Sequence, residues 1–173
     1  MCSSFEATVE FREIESFLKY FESVRTRTRN LAVCVPEEYL EWRSAEGRFS
    51  AGDLLRHIAA AERWMWAENA RLNPSKYPGH GQELASGLDQ VLSYMDSAHS
   101  ETIKILRDLT PEQLQQRCET VGGTKIRVWK WLRLMVEHEI HHRGQLYELL
   151  GQLGVEAPPL YGLTEPEVKK RSS

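Results

Sequence analysis

The chain has 173 residues, of which 41% are hydrophobic and 27% charged, enough to build one domain around a sizeable core. Its formal net charge of -3 gives no broad basic field and argues against nucleic acid as a partner. No apolar run approaches the ~20 residues of a membrane span, and the start, MCSSFEATVEFREIESF, lacks the basic and apolar regions of a secretory signal.

Helical periodicity dominates, and no stretch alternates with period two long enough to predict a strand. The first predicted helix runs from about Thr8 to about Val33, with Phe11, Ile14, Phe17, Leu18, Phe21, Val24 and Leu31 on one face. Pro36 cannot continue it. After the connector PEEYLEWRSAEGRF, Ser50 and Asp53 have capping-box spacing and open a second helix that reaches about Leu72. The segment NPSKYPGHG holds two prolines and two glycines and reads as a loop. A third helix is predicted from about Gln82 to about Leu109, carrying Leu84, Leu88, Val91, Leu92, Met95, Ile103 and Leu106. Thr110 followed by Pro111 predicts a short extra helical turn, and VGGTK reads as a turn. The fourth helix is predicted from about Lys125 to about Leu150, with Gly151 and Gly154 at its end. Four helices with long connections predict an all-α four-helix bundle over residues 1–155, at least one connection crossing the bundle. Residues 156–173, rich in proline and charge, are expected to form an irregular tail.

Cys2, Cys34 and Cys118 are widely spaced and odd in number. They make neither a disulfide framework nor a CxxC metal site, and they fit a reducing, cytoplasmic setting. Cys34 is read as packed.

The chemistry concentrates in histidines. His138 and His142 are four apart on the fourth helix, so their imidazoles share one face and can share one ion. Each follows an apolar stripe residue by seven positions, Trp131 and Met135 respectively, and so faces inward. His57 lies on the apolar face of the second helix, three residues after Leu54. Three inward imidazoles without partners would be costly, and three protein ligands are the number that leaves a metal one open position. An all-imidazole site suits zinc, nickel, copper or iron. His141 reads as a surface or supporting side chain that could replace one of the pair, while His80 and His99 read as solvated.

His138-Glu139-Ile140-His141-His142 also satisfies H-E-x-x-H, the helical zinc-protease motif. Its usual context is missing. The longer protease form needs glycine at 145 and histidine at 148, where this chain has Gln145 and Glu148, and no strand is predicted to hold a peptide. Glu139 could act on metal-bound water, but a glutamate is seldom fully buried, so the favoured expectation is an exposed side chain salt-linked to Arg143 four residues on. Gln145 is placed to orient a ligand or a histidine. Trp64 and Trp131 fit the core, whereas Trp66 and Trp129 fall on other faces, bordering the metal pocket or a subunit interface.

LLRHIAAAERWMW, EHEIHHRGQLYELLGQLG and the following PPLYG resemble the DinB/YfiT-like superfamily, with PEEYLEWRSAEGRFSAGDLLRH leading into the first of these. The resemblance extends over most of the chain, and its most specific pieces are His57 and the H-x-x-x-H-R-G-Q run. It implies an up-down-down-up bundle with a long crossover, often a homodimer. It also implies a divalent metal, typically nickel or zinc, held by three histidines that correspond here to His57, His138 and His142. Some members of the superfamily look like S-transferases or isomerases that use small thiols such as bacillithiol or mycothiol. The expected function is thus that of a divalent-metal-binding protein with an open three-histidine site, and metal-dependent thiol S-transfer to an electrophilic small molecule is the candidate activity that kinship suggests. The rival readings are a non-enzymatic metal-binding or structural bundle and, less favoured, an H-E-x-x-H metallohydrolase.

Overall fold

The computed structural model describes residue 11 and residues 13–172. Among these, four long helical segments carry the fold. Helix α1 spans Ile14–Ala32; its expected beginning near Thr8 lies outside the described residues, as does Cys2. Helix α2 spans Ala51–Ala61 and opens with the expected capping box: the Ser50 hydroxyl accepts from the Asp53 amide, and the Asp53 carboxylate accepts from the Ser50 amide. It then widens into a π-turn at Glu62–Trp66 and resumes as α3, Ala67–Ala70. Helix α4 spans Leu88–Arg107. It starts later than the predicted Gln82 because Gly87 sits at φ 82°, a left-handed position that no regular helix contains. The expected short turn is α5, Pro111–Gln115, capped by Thr110.

Two expectations fail locally. The turn VGGTK is flanked by a small antiparallel hairpin, β1 (Arg117–Glu119) and β2 (Lys125–Arg127), with Cys118 opposite Ile126. Strands of three residues are too short to show a period. Helix α6, Val128–Gln152, therefore begins after Arg127 and not at Lys125. The tail is not wholly irregular either: Thr164 and Glu167 form a capping box and open α7, Glu165–Arg171.

Polar pairs between helices give the directions. Along α1, Glu15, Glu22 and Arg29 meet Arg107, His99 and Asp96 of α4, so these two helices are antiparallel. His57 meets His142 and Trp66 meets Trp131, so α2 runs against α6. Leu54 and Leu55 pack with Val91 and Met95, and Arg63 pairs with Glu101, so α2 and α4 run together. The topology is up-down-down-up, and the loop after α3 is the crossover that returns the chain to the start of α4. Arg56 ties this loop down; fully buried, it donates to the His80 and Ala85 carbonyls.

Two apolar cores fill the bundle. One gathers Phe17, Phe21, Trp66, Leu106, Trp131 and Leu132; the other gathers Leu31, Leu55, Met95, Leu146 and Leu150. Between them, every long helical segment contributes polar side chains at mid-height: Arg25 and Thr28, then Glu62, then His99, then Glu139 and Arg143, all buried. The three clustered histidines lie at this same level of the bundle.

Candidate metal centre

The structure brings His57, His138 and His142 together. One ring nitrogen from each lies within 4.8 Å of the others, and all three rings are half-buried. Ring centroids are separated by 4.9 Å (His57 to His138), 4.6 Å (His57 to His142) and 4.5 Å (His138 to His142). The Nε2 atoms of His57 and His138 are 2.9 Å apart. Two nitrogens bound to one tetrahedral zinc ion stand about 3.3 Å apart, so a few tenths of an ångström would admit an ion.

Neighbouring groups leave the facing edges free. The far nitrogen of His57, Nδ1, is 2.7 Å from the Tyr77 hydroxyl, and His142 Nδ1 is 2.7 Å from Gln145 Oε1. With their Nδ1 atoms engaged, both rings present Nε2 inward, which is how an outer hydrogen bond selects the ligating nitrogen. Gln145 also reaches His141 Nε2 at 3.1 Å; His141 is exposed and outside the trio. Burial, aided by the charges of His142 and His80, lowers the pKa of His57 to about 4. Burial and the neighbouring imidazoles lower His138 to about 3. His142 is lowered as well, by burial first, against the Gln145 hydrogen bond that raises it. All three are neutral near pH 7, the form that binds metal. The donor set thus fits a divalent ion.

Sequence reasoning missed the crossover loop. Tyr77 and His80, 3.4 Å apart from hydroxyl to Nδ1, pack against His57, and His80 is half-buried instead of solvated. Arg56 holds them there through the His80 carbonyl. A tyrosine and a histidine three apart between Pro74 and Gly81 were the only sign, because loop residues have no period to read. Phe49 covers the cluster from the other side, 5.6 Å from His57 and 4.7 Å from His80.

His99 is also not solvated. It is 8% exposed, lies between Glu62 and Glu22, and its pKa is lowered by burial and by Arg25. The tryptophans differ from expectation because the π-turn adds a residue to one turn and rotates the downstream side chains by roughly 100°. Trp66, not Trp64, packs on Trp131 at 3.8 Å and lies 5.7 Å from His138. Trp64 is partly exposed under the Arg63 guanidinium. Trp66 and Trp129 are 6% and 3% exposed, which removes both as an exposed subunit interface.

Glu139 decides the H-E-x-x-H question. It is 2% exposed and points towards α1, away from the histidine face. Its carboxylate accepts from the Thr28 hydroxyl at 2.6 Å and pairs with Arg25 at 3.0 Å. The expectation of an exposed glutamate paired with Arg143 is corrected on both counts. Arg143 is buried and donates to the Val24 carbonyl. A carboxylate committed to a second helix is not available as a general base at the metal edge.

The sequence profile of the DinB family matches residues 1–172. The uncharacterized Bacillus subtilis (strain 168) protein YjoA is 27% identical over 146 residues, which cover 83% of this chain and 93% of YjoA. A crystal structure of YjoA superposes with a TM-score of 0.70, covering 84% of this chain and 97% of that one. A DinB-like protein from Bacillus cereus ATCC 10987 superposes with a TM-score of 0.73 at 20% identity, covering 86% and 98% of the two chains. TT2238, described as a four-helix bundle protein, gives 0.61 at 22% identity, covering 78% and 98%. The last two support the fold alone.

Proposed function

The chain belongs to the DinB family, and from that membership and the convergence of three imidazole edges we propose that it holds one divalent ion, nickel or zinc, through His57, His138 and His142. On this reading it is a metal-dependent thiol S-transferase of the cytoplasm, joining a small thiol to an electrophilic small molecule. The observation that carries it is the 2.9 Å approach of His57 and His138, with the outer nitrogens of His57 and His142 held by Tyr77 and Gln145. Three ligands leave an open position for an exogenous group, whereas structural zinc sites are closed by four.

A divalent ion bound there would lower the pKa of a thiol at its open position, so that thiolate is present near neutral pH. The chain's own residues do the rest. Tyr77 and Gln145 fix ring orientation, so the site needs little rearrangement on loading. Trp66 and Phe49 flank the histidines and would limit water at the open position. The homodimer belongs to this proposal too, through a surface other than the buried Trp66 and Trp129. Sedimentation should then give twice the 20.0 kDa chain mass. Among the described residues no helix is long and apolar enough to cross a membrane.

The test is a screen of small thiols against alkyl halide and epoxide electrophiles, with zinc-loaded, nickel-loaded and chelator-stripped protein. Metal-dependent loss of free thiol, absent from the stripped protein, supports the reading. Stoichiometric metal with no turnover of any pair favours the non-enzymatic alternative.

A further inference from the structure

A cleft of about 430 Å³ opens beside the histidine cluster, with His142 and Gln145 in its wall. Its size is in the range of small-ligand sites, and Leu54, Leu149 and Phe49 give it an apolar lining. Arg48 and Glu148 also line it, both exposed and of opposite charge. The Arg48 guanidinium has no hydrogen bond or ion pair with any described residue. Among the described residues, Glu148 has only a long contact, 3.4 Å, from Gln152.

The loop that carries Arg48 is braced. Arg43 donates to the Arg48 carbonyl at 2.8 Å and pairs with Asp53, which completes the capping box of α2 with Ser50. Gly47, at φ 73°, makes the tight bend just before Arg48. The capped start of the helix that bears His57 therefore also holds the arginine at the cleft.

We infer that this cleft admits the thiol and selects one carrying both a carboxylate and an ammonium group, with Arg48 receiving the carboxylate and Glu148 the ammonium. The inference rests on the thiol reading above. A ligand with only a carboxylate would gain Arg48 but meet Glu148 as a like charge, and one with only an ammonium would meet Arg48. Opposite charges on one small cleft thus discriminate by repulsion as well as attraction.

The experiment uses cobalt-substituted, full-length protein and three thiols of similar size: L-cysteine, cysteamine and 3-mercaptopropionate. Binding is read by calorimetry and by the near-ultraviolet band of a thiolate on cobalt. L-cysteine is expected to bind about tenfold more tightly than either singly charged thiol. Arg48→Gln should remove most of its advantage over cysteamine, and Glu148→Gln most of its advantage over 3-mercaptopropionate. Both residues are exposed, so unchanged cobalt content and circular dichroism will show that the variants fold. Equal binding of the three thiols, or variants that weaken all three alike, would overturn the charge selection while leaving the thiol reading intact. If none of the three generates the cobalt band although cobalt is bound, the thiol reading fails and this inference fails with it.

Discussion

Replacing Glu139 by glutamine separates a structural glutamate from a catalytic one. Its carboxylate is 2% exposed, takes a 2.6 Å hydrogen bond from Thr28 and pairs at 3.0 Å with Arg25, itself 5% exposed. Glutamine keeps the shape but offers one acceptor and an amide donor, so one of the two partners is lost. Removing one member of a buried ion pair costs about 3–5 kcal/mol when the other charge is stranded. Arg25 is not fully stranded, because it also pairs with Glu62. The cost should therefore be smaller, about 2 kcal/mol. For a chain of this length that is a fall in Tm of about 4–8 °C. The assay is thermal unfolding followed by circular dichroism, with metal content measured on the same samples. The expected result is a lower Tm with metal content unchanged. A Tm within about 1 °C of wild type together with lost metal or lost activity would instead place Glu139 at the metal and rule out a purely structural role.

Tyr77→Phe removes the hydroxyl on His57 Nδ1 while keeping the ring, and should weaken zinc binding about tenfold with little change in Tm; competition with a chromophoric chelator reads it, and unchanged affinity would dismiss Tyr77 as an orienting group. Acid should destabilise the metal-free protein. The folded pKa values of His57 and His138, about 4 and about 3, lie below the unfolded value of 6.5, so as pH falls below 6.5 the unfolded chain takes up protons that the folded chain refuses. Discounted for partial exposure, the two groups remove about 2 kcal/mol between pH 7 and pH 5, with the loss levelling off below the folded values. Urea midpoints at the two pH values test this, and acid-insensitive midpoints would contradict the half-buried neutral cluster. Leu132→Ala, at a fully buried position in the Trp66 core, should cost about 3 kcal/mol in the same urea assay without changing metal stoichiometry.

Much of the bundle was legible because its signals are local and repeated. The Ser50 and Asp53 capping box, the Thr110-Pro111 start and the apolar stripes each map onto observed helices. The histidine trio was legible for the same reason, since helical spacing alone puts His138 beside His142 and each on an apolar stripe. The features that escaped are set by tertiary packing. His99 and Glu139 read as exposed because charged groups are rarely buried singly, and only their pairing with the buried Glu62 and Arg25, across three helices and the π-turn, makes burial tolerable. The exchange of roles between Trp64 and Trp66 comes from a π-turn that no periodicity anticipates. Tyr77 and His80 owe their place to Arg56, a side chain of a different element.

One metal ion shared between α2 and α6 would depend most tellingly on His57, because it lies outside the H-E-x-x-H run. Metal content of the purified wild type and His57→Ala, measured by mass spectrometry after reconstitution with zinc or nickel, is the direct test. About one ion per wild-type chain is expected, with loss or a sharp reduction in His57→Ala and helical content preserved. Full occupancy in His57→Ala would contradict the shared site, and no metal in either protein would reduce the cluster to hydrogen-bonded histidines.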